Sequence, residues 1–125
     1  MRVNSTYYVS IGTNYNSEFN IGVAHLLISA CFPNSTFSKV LRTEGIGLSY
    51  QCWYLNQMVK IESSLNQDQM VFAMKELEKQ VGRKKHSRYV ALDLDIVEVN
   101  GTIVHKDYDK YPFLAQLRNT FNENL

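Results

Sequence analysis

Apolar residues in this chain fall into short alternating runs, separated by two longer stretches of helical period. Tyr7–Ile11 is apolar and β-favouring and stops at Gly12 and the turn-like "TNYNS", which predicts a first strand. From Ser17, Phe19, Val23, Leu26, Leu27 and Ala30 recur at helical spacing until Pro33 bars continuation. "STFSKVLR" (Ser35–Arg42) alternates as a half-buried strand. "TEGIGLSYQ" is a glycine-punctuated loop, and a long strand follows from Trp53 to about Glu62. Asn66 is placed to cap a second helix with the stripe Met70, Val71, Met74, Leu77 and Val81, and Gly82 to close it. The basic loop "RKKHSRY" leads into a strand over Val90–Val99. A hairpin turn at Asn100-Gly101, a return strand at Thr102–Val104 and a last helix over Lys110–Phe121 complete the chain.

The resulting order, β-α-β-β-α-β, predicts an α+β fold: a ferredoxin-like sandwich in one domain over 1–125, with an added C-terminal hairpin strand and helix. Such a sheet packs helices on one face and leaves the other free. The period of two turns Leu92, Leu94 and Ile96 toward the helices and Asp93 and Asp95 away from them. On the preceding long strand it turns Leu55, Val59 and Ile61 inward, and Tyr54 and Asn56 outward. If both outward sets share the open face, that face carries an aromatic, an amide and two acids.

Composition narrows the picture. At 125 residues, 45% hydrophobic and 20% charged, the chain fits a soluble globular domain, and no apolar run approaches the ~20 residues of a membrane span. "MRVNSTYYVS" has no apolar core of a signal peptide. Cys31 and Cys52 show no metal-ligand spacing, so a reduced cytoplasmic protein with both thiols buried is expected. Thirteen basic and 12 acidic residues give a net charge of +1, which argues against a general polyanion-binding surface.

The most unusual stretch is "ALDLDIV" (91–97), two aspartates inside a strand pattern. Aspartate is depleted in strands, and a charge withdrawn from water needs a neutraliser. Carboxylates at i and i+2 stand roughly 6.5–7 Å apart at Cα and can lean together onto Mg²⁺, a hard cation often held by one or two carboxylates plus substrate phosphates. The same spacing fits a solvated pair, or a pair neutralised by lysine or arginine. Arg83, Lys84, Lys85, His86 and Arg88 lie directly upstream. They fit either a wet basic loop or a set of cations for a triphosphate. No Walker-type glycine loop is present, so a phosphate donor would rely on basic side chains and metal. His25 reads as structural, and His105 as a possible nucleotide contact.

"YYVSIGTN" (7–14), "LRTEGIG" (41–47), "YLNQMVKIESSL" (54–65), "LEKQVGR" (77–83) and "LDLDI" (92–96) occur in the order found in one family. Over roughly residues 7–100 the chain resembles the 6-hydroxymethyl-7,8-dihydropterin pyrophosphokinases of folate biosynthesis. The resemblance implies a ferredoxin-like fold and transfer of a pyrophosphoryl group from ATP, as co-substrate, to the hydroxymethyl of a pterin with two Mg²⁺ ions. It implies that Asp93 and Asp95 bind metal and act in catalysis with Arg83. Glu78, Arg83 and Ile96 would line the nucleotide site, with Lys84, Lys85, Arg88 and His105 beside them. Thr43, Ile46, Tyr54, Asn56 and Phe113 would form the pterin pocket. Departures from the pattern are specific. The loop before "LDLDI" is shorter and reads "KKHSRYVA" where the family has W-G-P-R, Glu44 and Gly45 replace prolines, and Tyr111 falls where an arginine is usual.

Two other readings compete. One is a non-catalytic or re-purposed module that keeps the fold and a pterin or nucleotide pocket. The other is an RNA-recognition domain, which shares the element order. The strand "WYLNQMVKI" lacks that domain's K/R-G-F/Y-x-F pattern, and two outward acids would repel phosphate, so no nucleic-acid partner is expected.

Overall fold

The computed structural model describes residues 4–45, 52–82 and 88–122. The elements are β1 (Ser5–Thr13), α1 (Ser17–Cys31), β2 (Ser35–Phe37), β3 (Leu41–Glu44), β4 (Trp53–Ser63), α2 (Gln67–Val81), β5 (Asp93–Val99), β6 (Thr102–Ile103) and α3 (Pro112–Asn119). Single 3-10 turns at Tyr108–Lys110 and Thr120–Asn122 flank α3. The strands form one antiparallel sheet in the order β2-β4-β1-β5-β6, with β3 also paired to β4.

The alternation along β1 splits the interior into two layers. Tyr7, Val9 and Ile11 face α1 and α2, where they pack with Ala24, Ile28, Val59, Ile61, Met70, Met74, Leu77, Leu92 and Leu94. Tyr8 faces the other way, into a smaller cluster with Met58, Val97, Leu114 and Leu117. That second cluster corrects the expected free face: α3 folds back over part of it, because Leu114 and Leu117 are one helical turn apart and both need cover.

A β-bulge shapes β5. Val9 stands opposite Ile96, but its neighbour Tyr8 stands opposite Glu98, so Val97 is the extra residue. Ile96 and Val99 therefore pack on the α1/α2 layer, while Val97 and Glu98 both turn to the α3 side. Asn100 and Gly101, both at positive φ, then make the tight turn into β6 that their sequence predicts.

α2 ends as its sequence suggests. Asn66 accepts from the Gln69 N–H, and the Gln69 side chain accepts from the Asn66 N–H, a complete capping box. Gly82 closes the helix in the left-handed region, donating to the carbonyls of Glu78 and Lys79.

Four expectations need correction. In α1 the buried residues are Asn20, Ala24 and Ile28, while Phe19 and Leu26 face solvent. The Asn20 amide donates to the Tyr15 carbonyl, which makes a polar residue tolerable inside and shifts the buried stripe. In α2, Val71 is exposed and Glu78 is buried instead. The run 35–42 breaks at Ser38, whose hydroxyl accepts from the Met58 N–H and whose carbonyl accepts from the Gln57 amide. Cys31 is exposed and Cys52 half-buried, against two buried thiols. Among the described residues no helix is long and apolar enough to cross a membrane.

Candidate active site

Where α3 stops short of covering the sheet, a cavity of about 320 Å³ remains. Its floor is the outward face of the sheet. Gly12 on β1 pairs with Asn56 on β4 and with Asp93 on β5, and Ser10 pairs with Met58 and Asp95. Cross-strand partners share a face, so Asn56, Gly12 and Asp93 form one row across three strands. Lacking a side chain, Gly12 leaves the middle of that row open; a Cβ there would lie 3.4 Å from Asn56 Oδ1. Thr43 pairs with Tyr54 and extends the floor onto β3, where the Asn56 amide donates to the Thr43 hydroxyl. Glu44 and Gly45 stand at the end of β3, and the remaining wall is His105, Asp107 and Tyr111 from the segment leading into α3 with Phe113 and Leu114 from its first turn.

That wall is aromatic and ordered by local contacts. The Asp107 N–H donates to His105 Nδ1, so the imidazole's other nitrogen is the one available for a proton. The Tyr111 ring meets His105 edge-on at 6.5 Å and lies at 5.8 Å and 31° to Phe113. A flat ligand entering here meets aromatic faces and a small number of polar groups, the usual chemistry of a heteroaromatic pocket.

The electrostatics are one-sided. Asp93, Asp95, Asp107 and Glu44 line the cavity, and no lysine or arginine does so among the described residues. Burial, followed by the charge of Asp93, pushes the Asp95 carboxyl up to about 7. A hydrogen bond with Asp93 and the charge of Glu78 act in the same direction, and Lys75 opposes them. The two aspartates are thus close enough to share a proton, and equally to share a cation. No group of three or more His, Cys, Asp and Glu is arranged to hold a metal ion among the described residues. Two carboxylates with the remaining positions left to water and phosphate suit Mg²⁺, not a caged structural metal.

The structure sorts the residues singled out by sequence. Thr43, Tyr54, Asn56, Asp93, Asp95, His105 and Phe113 come together in the cavity. Ile96 does not: it lies on the opposite side of β5, against the α1/α2 core. Glu78 is also outside the lining. It is buried behind β5, where its carboxylate accepts from the Leu94 N–H at 2.7 Å, between the two aspartates in sequence. Arg88 is exposed, with its guanidinium carbon 5.1 Å from the Tyr89 ring centroid, and is not among the residues that line the cavity. Arg83, Lys84, Lys85 and Ile46 lie outside the described residues. Sequence reasoning missed Ser10 and Gly12, although the β1 alternation that buries Tyr7, Val9 and Ile11 places them on the cavity face. It also missed Asp107 and Leu114, which enter only because α3 folds back.

Comparison with known proteins points one way. A family model for 7,8-dihydro-6-hydroxymethylpterin-pyrophosphokinase matches residues 8–120. The chain is also similar to a 2-amino-4-hydroxy-6-hydroxymethyldihydropteridine pyrophosphokinase of Bacillus subtilis (strain 168), 27% identical over 103 residues. That match covers 78% of this chain, and the chain spans 62% of the relative's length.

Proposed function

The chain belongs to the 7,8-dihydro-6-hydroxymethylpterin-pyrophosphokinase family, and from that premise we propose that it moves a pyrophosphoryl group from ATP to the hydroxymethyl of a dihydropterin, in folate biosynthesis. The observation that carries the reading is that Asp93 and Asp95 open into the same cavity as Thr43, Tyr54 and Asn56. One set suits a metal–phosphate group and the other a flat, hydrogen-bonding ring. The strand order, with β1 and β4 at the centre, supports a ferredoxin-like architecture extended by β6 and α3.

In this reading Asp93 and Asp95 hold the Mg²⁺ ions that accompany ATP, two by family resemblance. Bound there, Mg²⁺ neutralises charge on the transferring group. A cavity lined by four carboxylates would otherwise repel a triphosphate. Arg83, Lys84, Lys85 and Arg88 contribute further cations from the basic stretch before β5, and His105 a nucleotide contact. Asn56, braced by Thr43, reads the hydrogen-bonding edge of the pterin, while Tyr54 and Phe113 pack on its face. The protein's contribution is mainly to position the two substrates.

AMP release from ATP, Mg²⁺ and 6-hydroxymethyl-7,8-dihydropterin tests this directly. Turnover that disappears in Asp95→Asn, with the fold retained by circular dichroism, supports it; undiminished AMP release from that variant refutes it. One feature favours a second reading, a pterin- or nucleotide-binding module without turnover. Tyr111 stands in the cavity wall where the resemblance calls for an arginine. Calorimetric binding of the pterin with no AMP formation would decide for the module.

A further inference from the structure

α3 has only eight residues, too few for a helix to persist without tertiary support. Its first turn carries Phe113 and Leu114, which form part of the cavity wall. What holds it is a single face: Leu114, Leu117 and, four residues after Leu114, Arg118. The Arg118 guanidinium donates through Nε to Glu98 Oε1 at 3.0 Å and through Nη2 to Glu98 Oε2 at 3.3 Å. Its central carbon lies over the Tyr8 ring, 3.8 Å from the centroid, and Nη1 donates to Asn122 in the turn that follows the helix. Both partners are largely withdrawn from water, with side-chain exposures of 18% for Arg118 and 9% for Glu98. Glu98 reaches this side of the sheet because of the bulge at Val97.

We propose that the Arg118–Glu98 pair positions the acceptor half of the active site, by fixing how closely α3 lies on the sheet and hence where Phe113 and Leu114 stand. Neither residue lines the cavity, so both act through the helix. A bidentate, ring-stacked guanidinium defines orientation as well as distance, which a lysine ammonium does not. Asp93 and Asp95 are carried by β5 and not by α3, so a shift of α3 leaves the two metal-binding candidates in place. This inference rests on the pyrophosphokinase reading for its choice of ligand.

The test compares wild type with Arg118→Lys, Arg118→Met and Glu98→Gln. Calorimetry gives the Kd of 6-hydroxymethylpterin and of a non-hydrolysable ATP analogue with Mg²⁺; AMP release gives KM and kcat. The expected result is a roughly tenfold rise in pterin Kd and KM for Arg118→Met, and a smaller rise for Arg118→Lys. Nucleotide Kd and kcat should stay within about twofold, the signature of lost ground-state positioning. Unchanged pterin affinity in folded Arg118→Lys and Glu98→Gln overturns the proposal. So does a fall in nucleotide affinity and kcat that tracks the loss of Tm. Wild type that binds the pterin without releasing AMP sinks the kinase reading alone, since the Kd series still decides on the clamp. Wild type that binds no pterin overturns both.

Discussion

Asn56 and Asp93 lie in one row of the sheet, two strands apart, and the residue between them is a glycine. Their backbones are therefore roughly 9.5 Å apart with no side chain intervening, a gap suited to the thickness and width of a small ring. The amide end and the acid end of the cavity owe their separation to that arrangement.

Filling the gap should abolish the pocket without harming the strand. Valine is favoured in strands where glycine is not, so Gly12→Val is expected to keep or raise Tm. Its side chain would occupy the floor beside Asn56 Oδ1, 3.4 Å from the new Cβ. Calorimetry should show pterin affinity reduced at least about tenfold.

Asp95 imposes a pH dependence of known sign. Its carboxyl titrates near 7 in the folded chain and near 3.8 in an unfolded one, so the folded state holds the proton more tightly. The stability this contributes is complete below pH ~4 and is lost as pH rises through about 7. Relative to wild type without Mg²⁺, Asp95→Asn is expected to be more stable at pH 8, by on the order of 4 kcal/mol, and no different at pH 4. Thermal melts of both proteins across that range check it. Mg²⁺ at pH 8 should raise the Tm of wild type and not of Asp95→Asn.

Glu78 separates charge from hydrogen bonding. Glu78→Gln retains an oxygen to accept from the Leu94 N–H and removes a negative charge that raises Asp95, so the Asp95 titration should move down. Glu78→Ala leaves that buried N–H without its acceptor and is expected to cost about 1–3 kcal/mol. Carboxyl chemical shifts against pH and urea unfolding read out the two effects.

Asn66 offers a control far from the chemistry. Asn66→Ala removes the capping box of α2 and should lower stability by about 1 kcal/mol. Turnover per folded molecule should not change, because Asn66 lies outside the cavity lining. Activity and denaturant midpoint measured on the same preparation separate the two.

Much of this was readable from the chain alone where local signals agree. Asn66 and Gly82 bracket α2, Asn100-Gly101 marks a hairpin, and period two assigns Asp93 and Asp95 to one face and Leu92 and Leu94 to the other. The phase of α1 was not readable, because apolar residues lie on several sides of it and a hydrogen-bonded Asn20 occupies the interior. Ile96 kept the inward orientation that alternation predicts, and this is the reason it lies away from the cavity. The placement of α3 depends on contacts between Leu114, Leu117 and residues as distant in sequence as Tyr8. No local pattern encodes that, so the far wall of the pocket stayed hidden while its floor did not.

The extra residue at Val97 decides which side of the sheet the second half of β5 presents. Upstream of it, the strand presents acids to the cavity; downstream, it presents the anchor of α3 to that same side. Were β5 to pair regularly past Ile96, with Val97 opposite Tyr8, Asp93 and Asp95 would stay where they are and Glu98 would swing into the greasy layer beneath α1 and α2. Chemistry and enclosure would come apart through a change that alters neither set of side chains.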